Sequence, residues 1–494
     1  MKRFFIYILA GLLFSVQGCV KDTGNYSYVD AEGFLPKILS GFDTSFEVTA
    51  LDYLIIDPEI GGNEEDFEYT WYVFSTTLGA SSADTLGRSR KLEYQVTLPG
   101  GSYWIGFKVE NKATKIASFA RVGLTVYSPF GNGYLVLKEV DGMTDIDYIN
   151  RGSSVMSPDI LLAINGERQQ GAPITLAFHY SYSYEVSDAD GRVEISSGNR
   201  AIMIASEGDL CCYLANDMCR IKQFEDLFLE VPAVKKPQSV AAGATTPFLV
   251  LNDDKAHMIT ASTSRVGKFG YSYVGDYHLD PKRFYSSVQF DKTKGGFLTF
   301  TTNYTIADYT HGYPSFDLIY KGNRAFFWGT TGLMNAIITN RETGENHLLS
   351  SVNTDGVSLL TVGADFVLPN DFEVNNAKVY ATGGYYTDVV YYSNGDNKVG
   401  YYNYINQTEN RSVITLPDGE RVVYLQHIYD MMEGSLSFVM VLTNHNGGWT
   451  LRCYDTLGMG PEMATTPPAT WSGEGNAKKV LFRHANTMYM NVEN

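Results

Sequence analysis

The stretch YYTDVVYYSNGDNKVGYYNY, residues 385–404, sets three tyrosine doublets and a single tyrosine around the turn Asn394-Gly395-Asp396-Asn397. The flanking runs DVVYYS and KVGYYNYI are rich in β-branched and aromatic residues, and a glycine-containing turn between two such runs predicts a β-hairpin. Successive side chains of a strand point to opposite faces, so each doublet sends one ring up and one down. A continuous stacking surface is therefore excluded. The pattern instead suits a sheet buried on both faces, such as a propeller blade between two neighbours, with the phenol hydroxyls reaching the rim. Tyr385 and Tyr386 are the exception, because Ala-Thr-Gly-Gly precedes them and places them at a loop or strand mouth.

The same rhythm runs outward from this hairpin. YLVL at 134, FLVL at 248, FLTFTT at 297, AFFWG at 325, VSLLTVG at 357, LSFVMVLTN at 436, WTLRCYDT at 449 and VLFRH at 480 are short strands separated by turn residues. Phe224 to Glu230 is the main helical candidate. So many strands with so little helix predict an all-β chain, with a β-propeller-like domain over 128–494 preferred to successive sandwiches. Blades of roughly 50 to 60 residues make six or seven of them. The last strand, near Val480 to Val492, is expected to close onto the strand at Tyr134. VKKPQSVAAGATTP, 234–247, reads as an exposed loop between blades, and SDADG, 187–191, as a hairpin turn that lacks the further ligands of a calcium loop.

Residues 31–127 have a different grammar. Phe67, Tyr69, Trp71 and Val73 alternate in DFEYTWYVFST. Leu92, Tyr94, Val96 and Leu98 do so before Pro99-Gly100-Gly101, and Tyr103, Ile105, Phe107 and Val109 after it; Val122, Leu124 and Val126 supply a last strand. A tryptophan on a central strand followed by a hairpin predicts an immunoglobulin-like sandwich.

At the N-terminus, a Lys2-Arg3 start, the apolar run FFIYILAGLLFSV and Val16-Gln17-Gly18-Cys19 read as a signal peptide over 1–18. The run is too short to cross a bilayer, which takes about 20 residues. It resembles a bacterial lipoprotein signal, which implies cleavage before Cys19 and lipidation of that residue, with residues 19–30 as a polar stalk. YQVTLPGGSYWIGFKVEN, with Trp71 upstream, resembles a PKD-type immunoglobulin-like domain, and the chain as a whole is similar to the PKD-like lipoproteins of Bacteroidetes. The run YVFSTT after Trp71 departs from the Asp-Gly-Asp turn usual in that pattern, so no cation is implied there. The resemblance implies an outer-membrane lipoprotein, displayed at the cell surface and acting as an accessory to a SusC/SusD-type importer that captures peptide or glycan. Lys21-Asp22 matches only part of the acidic tract that directs such proteins outward.

Charge and chemistry narrow the alternatives. The net charge of −17 becomes more negative when the signal is removed, and an acidic surface repels phosphate backbones, which excludes nucleic acid as a natural partner. Contact with the membrane is expected through the lipid alone. In CCYLANDMC, a disulfide from Cys211 or Cys212 to Cys219 would suit an oxidising compartment, whereas adjacent strand cysteines point apart and make a poor chelate. There is no HExxH, GxSxG, P-loop or helix-opening GxGxxG, and the eight histidines are scattered singly. No catalytic residue, metal or cofactor is predicted. If a ligand is bound, Tyr385, Tyr386 and Trp471 offer the apolar platform; Trp471 lies in ATTPPATWSGEG, a segment rich in proline and glycine. A propeller-type hydrolase or lyase assembled from separated loops, and an adhesive or structural surface protein, are the competing readings.

Overall fold

The computed structural model describes residues 35–42, 44–50, 52–75, 83–98, 100–151, 155–187, 191–242, 248–284, 288–301, 303–309, 313–323, 334–352, 362–384, 387–430, 436–457 and 460–483. The chain divides into two compact units, Met1–Thr97 with Gly101–Val126, and Leu98–Gly100 with Tyr127–Asn494.

In the first unit a five-stranded sheet runs in the order Phe46–Thr49, Ala117–Tyr127, Gly101–Asn111, Phe67–Ser75, Asp84–Gly87. Tyr53–Ile56 pairs separately with Leu92–Gln95. The alternation expected from sequence is the burial pattern found: Trp71, Val73, Ile105, Phe107, Leu124 and Val126 are buried, as are Leu54, Ile56 and Leu92 of the second pair. Trp71 stacks 4.2 Å from Phe107 and donates its Nε1–H to Ser89 O at 2.8 Å, so the one polar atom of a fully buried indole is satisfied. The expected hairpin through Pro99-Gly100-Gly101 does not form. Leu92–Gln95 and Gly101–Asn111 belong to different sheets, because each must turn its apolar face into the core from its own side.

The described residues of the second unit form seven antiparallel sheets. Sheet 1 contains Gly133–Val140, Met143–Asn150, Met156–Ser157 and Asn476–Arg483; sheet 2, Pro173–Ser187, Val193–Ser206, Asp209–Leu214 and Arg220–Lys222. Sheet 3 contains Pro237–Ala241, Leu249–Asn252 and Lys255–Met258; sheet 4, Val288–Asp291, Gly296–Phe300 and Ile306–Tyr309. Sheet 5 contains Phe316–Asn323, Met334–Asn340, Asn346–Val352 and Ala364–Val367; sheet 6, Val379–Thr382, Val389–Ser393, Lys398–Asn403 and Thr408–Thr415. Sheet 7 contains Arg421–Asp430, Leu436–His445, Gly448–Asp455 and Ala469–Glu474.

Apolar layers join them in a cycle. Ile146 meets Ile202 between sheets 1 and 2, Met203 meets Val250 between 2 and 3, and Leu251 shares a cluster with Phe300 between 3 and 4. Phe290 and Ile338 fill the next layer, Ile337 and Tyr392 the one after, and Tyr391 and Val441 join sheets 6 and 7. Met440 of sheet 7 then clusters with Tyr134 and Phe482 of sheet 1. The expected closure is present: Asn476–Arg483 pairs with Gly133–Val140, Tyr134 opposite Phe482, so the last described strand completes the first sheet. This cyclic order is that of a propeller-like domain.

The tyrosine hairpin forms as its sequence predicts, with Tyr391 opposite Tyr401 and Val390 opposite Tyr402. Tyr391 packs toward sheet 7, and Tyr392, Tyr402 and Tyr404 toward sheet 5. Tyr391 Oη donates to Pro461 O at 3.0 Å, and Tyr404 Oη to Asp388 Oδ1 at 3.0 Å. Two local expectations fail. Pro237–Ala241, inside the expected loop 234–247, is the first strand of sheet 3, buried because its small residues let it sit against its neighbours. Phe224–Asp226 is a single 3-10 turn, whereas Ile160–Asn165 forms a short α-helix closed by Gly166 at φ 76°. The strands flanking SDADG pair Ser187 with Val193, as a hairpin requires; AFFWG at 325 and most of VSLLTVG lie outside the described residues.

Candidate functional site

Cys19, Tyr385 and Tyr386 lie outside the described residues. The flanks of the tyrosine pair are held: Gly383 N donates to Val389 O at 2.9 Å, Thr387 N to Gly384 O at 2.9 Å, and Gly384 N to Nδ1 of His427 at 2.7 Å. A Cβ at position 384 would lie 2.9 Å from Tyr429 Cβ and 3.1 Å from His427 Cε1, so the loop can rest on sheet 7 only as glycine. Trp471 sits in a regular strand, opposite Leu451, with its half-buried ring 5.1 Å from Tyr134. The proline-rich part of ATTPPATWSGEG precedes this strand, and Gly473 makes room for the Trp449 ring, 2.6 Å from where a Cβ would stand. Trp471 is three strands out from the first strand of its sheet, about 14 Å at the usual spacing.

The cysteine hairpin forms without its disulfide. Cys211, Cys212 and Cys219 are all free thiols. Cys212 is opposite Lys222, while Cys219 O accepts from Leu214 N at 2.9 Å, so the register puts Cys219 beyond the rung of either partner. Burial pushes the Cys212 thiol up to about 12, which keeps it protonated and inert.

His427 is buried beside Ser437, a pair that invites comparison with a nucleophile and its base. Its Nδ1 accepts the Gly384 N–H, so Nε2 carries the proton and donates to Ser437 Oγ at 3.1 Å. Ser437 Oγ also accepts from Thr456 Oγ1 at 2.6 Å. The histidine thus holds the serine oxygen as an acceptor and cannot withdraw its proton. Burial pushes His427 down to about 4, as it does His179 of sheet 2.

Contacts around the ring put several groups at one level. Gly384 touches His427; Ile428 pairs with Phe438, whose ring is 5.4 Å from Phe482; and the next residue, Arg483, lies 4.9 Å over the Phe178 ring beside His179. These residues belong to, or follow closely on, the first strands of sheets 6, 7 and 2, the second strand of sheet 7 and the closing strand of sheet 1. Arg483 is 4% exposed and donates from Nη1 to Phe130 O at 2.9 Å and to Ala215 O. Burial first, and neighbouring Arg200 second, lower Arg483 to about 9; burial also lowers Arg200. Neither arginine has a carboxylate partner among the described residues.

The opposite end of sheet 1 carries charge of both signs. Lys138, opposite Ala477, contacts Asp147 Oδ1 at 2.7 Å and Asp159 Oδ1 at 2.9 Å; Arg168 contacts Asp145 at 3.1 Å and Asp159 at 3.1 Å. Trp449 Nε1 of sheet 7 donates to Asp147 Oδ2 at 3.0 Å, and Leu161 N at the start of the short helix donates to Asp145 Oδ1 at 2.8 Å. Burial pushes Asp145 up despite these donors. For Asp159 the same burial is outweighed by Lys138 and Arg168, leaving it below the ordinary range. Each acid is engaged with a base, a backbone N–H or an indole, which makes this a structural junction between sheets. No group of three or more His, Cys, Asp or Glu side chains among the described residues is arranged to hold a metal ion, and none of their helices is long and apolar enough to cross a membrane. Sequence reading missed Arg200 and Arg483, since a single arginine in a strand carries no spacing signal.

A PKD-like family domain is found at residues 19–173. The sequence matches no curated protein. Among solved structures, a quinoprotein alcohol dehydrogenase-like protein from Bacteroides thetaiotaomicron VPI-5482 is similar over 91% of this chain and 99% of its own, at 12% identity and a TM-score of 0.39. A likeness that weak carries no argument about chemistry. No catalytic family is identified for the chain.

Proposed function

We propose that this protein is a lipid-anchored surface protein of the outer membrane, in which a PKD-like immunoglobulin-like domain bears a seven-bladed propeller that captures ligand as an accessory of a SusC/SusD-type importer. The observation that carries the reading is where the family match begins. It starts at residue 19, the cysteine that the signal motif makes the first, lipid-bearing residue of the mature chain. The ring of sheets supports a binding role, because it gathers strand ends from several blades at one place. The blocked His427–Ser437 pair favours binding over acyl-transfer chemistry at that site. Peptide or glycan is the ligand class, and Tyr385, Tyr386 and Trp471 are its proposed aromatic contacts.

The test is affinity capture of the tagged native lipoprotein from gently solubilised outer membranes. Co-recovery of an importer pair supports the proposal. Recovery of the protein alone, or loss of the anchor without effect when Cys19 is replaced by serine, overturns it.

A further inference from the structure

The outer face of the five-stranded sheet in the first unit gathers aromatic groups. Trp71, Val73, Ile105, Phe107, Val122 and Leu124 point into the core, so the residues between them point outward. Register sets the outward residues of the three central strands in rows: Thr70, Lys108 and Phe119; then Tyr72, Gly106 and Arg121; then Phe74, Trp104 and Gly123. Tyr72 and Trp104 are diagonal neighbours, about 7–8 Å apart at the backbone. The Arg121 guanidinium lies 4.8 Å over the Trp104 ring, and the Phe74 ring comes within 3.6 Å of where a Cβ of Gly106 would stand. Rings and guanidinium thus lie along the sheet rather than standing up from it, which makes this part of the face flat. Phe119, 70% exposed, bounds it on one side.

Core packing accounts for the inward tryptophan but not for the outward one. Trp71 gives its N–H to Ser89 O, whereas neither the half-buried Trp104 nor the exposed Arg121 makes a hydrogen bond or ion pair among the described residues. Gly106 and Gly123 have neither a positive φ nor a shift of register beside them, and a mid-strand glycine of that kind marks a place where something approaches the backbone closely. At Gly106 the close neighbour is Phe74. At Gly123 only Ser45 Cβ, at 3.6 Å, lies near the position of a Cβ among the described residues, so the floor there is open. Charge narrows the occupant. The outward residues of these strands set Lys108 and Arg121 against Glu68 and Glu110, a balance of zero on a protein of net charge −17. The face therefore suits an uncharged partner that is flat and apolar in the middle and carries acceptors at its edges.

We propose that this face binds an uncharged polysaccharide, with a pyranose ring stacked on Trp104 and the next on Tyr72. The axial C–H groups of a pyranose form an apolar, weakly positive face that matches the negative face of an aromatic ring, and its equatorial hydroxyls accept from Arg121 and the Trp104 N–H. The site is separate from Tyr385, Tyr386 and Trp471 and goes beyond the capture role proposed for them.

The experiment is calorimetric titration of the full mature chain, carrying Cys19→Ser to keep it free of lipid, with xyloglucan, galactomannan, pullulan and, as a charged control, polygalacturonate. At least one neutral polymer should bind, and more tightly than polygalacturonate. W104A should weaken that binding about 10- to 100-fold, and W471A should leave it unchanged. Gly123→Val raises the floor beside Trp104 while suiting a strand, so it should weaken binding at least about 10-fold with a melting temperature at or above wild type, which separates loss of binding from loss of fold. No binding of any neutral polymer, tighter binding of polygalacturonate, or full binding by both W104A and Gly123→Val overturns the site. Binding lost in W471A but kept in W104A also overturns it and leaves the propeller capture site standing. Flotation with phosphatidylcholine vesicles, or dimerisation in sedimentation, that depends on Trp104 in the absence of glycan binding overturns the glycan assignment in favour of a membrane or a second copy. Failure to recover an importer while W104A abolishes glycan binding removes the partner claim and leaves this site intact.

Discussion

The two ends of sheet 1 treat buried charge in opposite ways. At the end of Lys138, three aspartates, a lysine, an arginine and an indole N–H from sheet 7 satisfy one another. At the end of Arg483, that buried cation meets carbonyl oxygens only, and burial pushes His179 and His427 down to about 4. The first arrangement sets charge against charge between sheets; the second meets a buried cation with backbone carbonyl oxygens, as Lys222 is met by Val266 O. The lesson is that burial alone does not mark a functional group, because a buried cation is satisfied by carbonyl oxygens as well as by acids.

The comparison can be broken most severely at Lys138. Lys138→Met leaves Asp147 without a cation and Asp159 with Arg168 alone, and should cost about 3–5 kcal/mol in denaturant unfolding. A loss below about 1 kcal/mol would mean the network is not a fastening. Next in size is the pH dependence at the arginine end. His179 and His427 have folded pKa values of about 4 against an ordinary 6.5. The unfolded chain therefore takes up their protons first, and the stability they contribute is complete above about 6.5 and lost as pH falls toward 4, roughly 3 kcal/mol per histidine. H427Q should flatten that part of the curve, and an unchanged slope would contradict its buried, neutral state. A smaller effect is expected for Trp449→Phe, which keeps the ring but removes the donor to Asp147, at about 1–3 kcal/mol.

Much of the fold was legible before any coordinates. Period-two burial around Trp71 and Phe107 and the opposed faces of Tyr391 and Tyr392 follow from strand geometry alone. Where reading failed, the cause was context. Pro99-Gly100-Gly101 has turn chemistry, yet turn chemistry cannot tell a hairpin from a passage between sheets. Pro237–Ala241 looked like a loop because its residues are small, and small residues are also what a crowded inner strand needs. The site was less legible still. Trp471 could be noticed for its odd composition, but Trp104 and Arg121 each sit in an ordinary strand and meet only through the pairing of those strands.

By itself, then, the sequence determined the strand periodicity, the tyrosine hairpin and the acidic surface, because each depends on neighbours a few residues away or on composition. Tertiary structure alone decided that three cysteines in one hairpin miss one another and that Arg483 reaches the carbonyl oxygens of Phe130 and Ala215. Those outcomes depend on register and ring closure, which are set by the packing of whole sheets and leave no local mark on the chain.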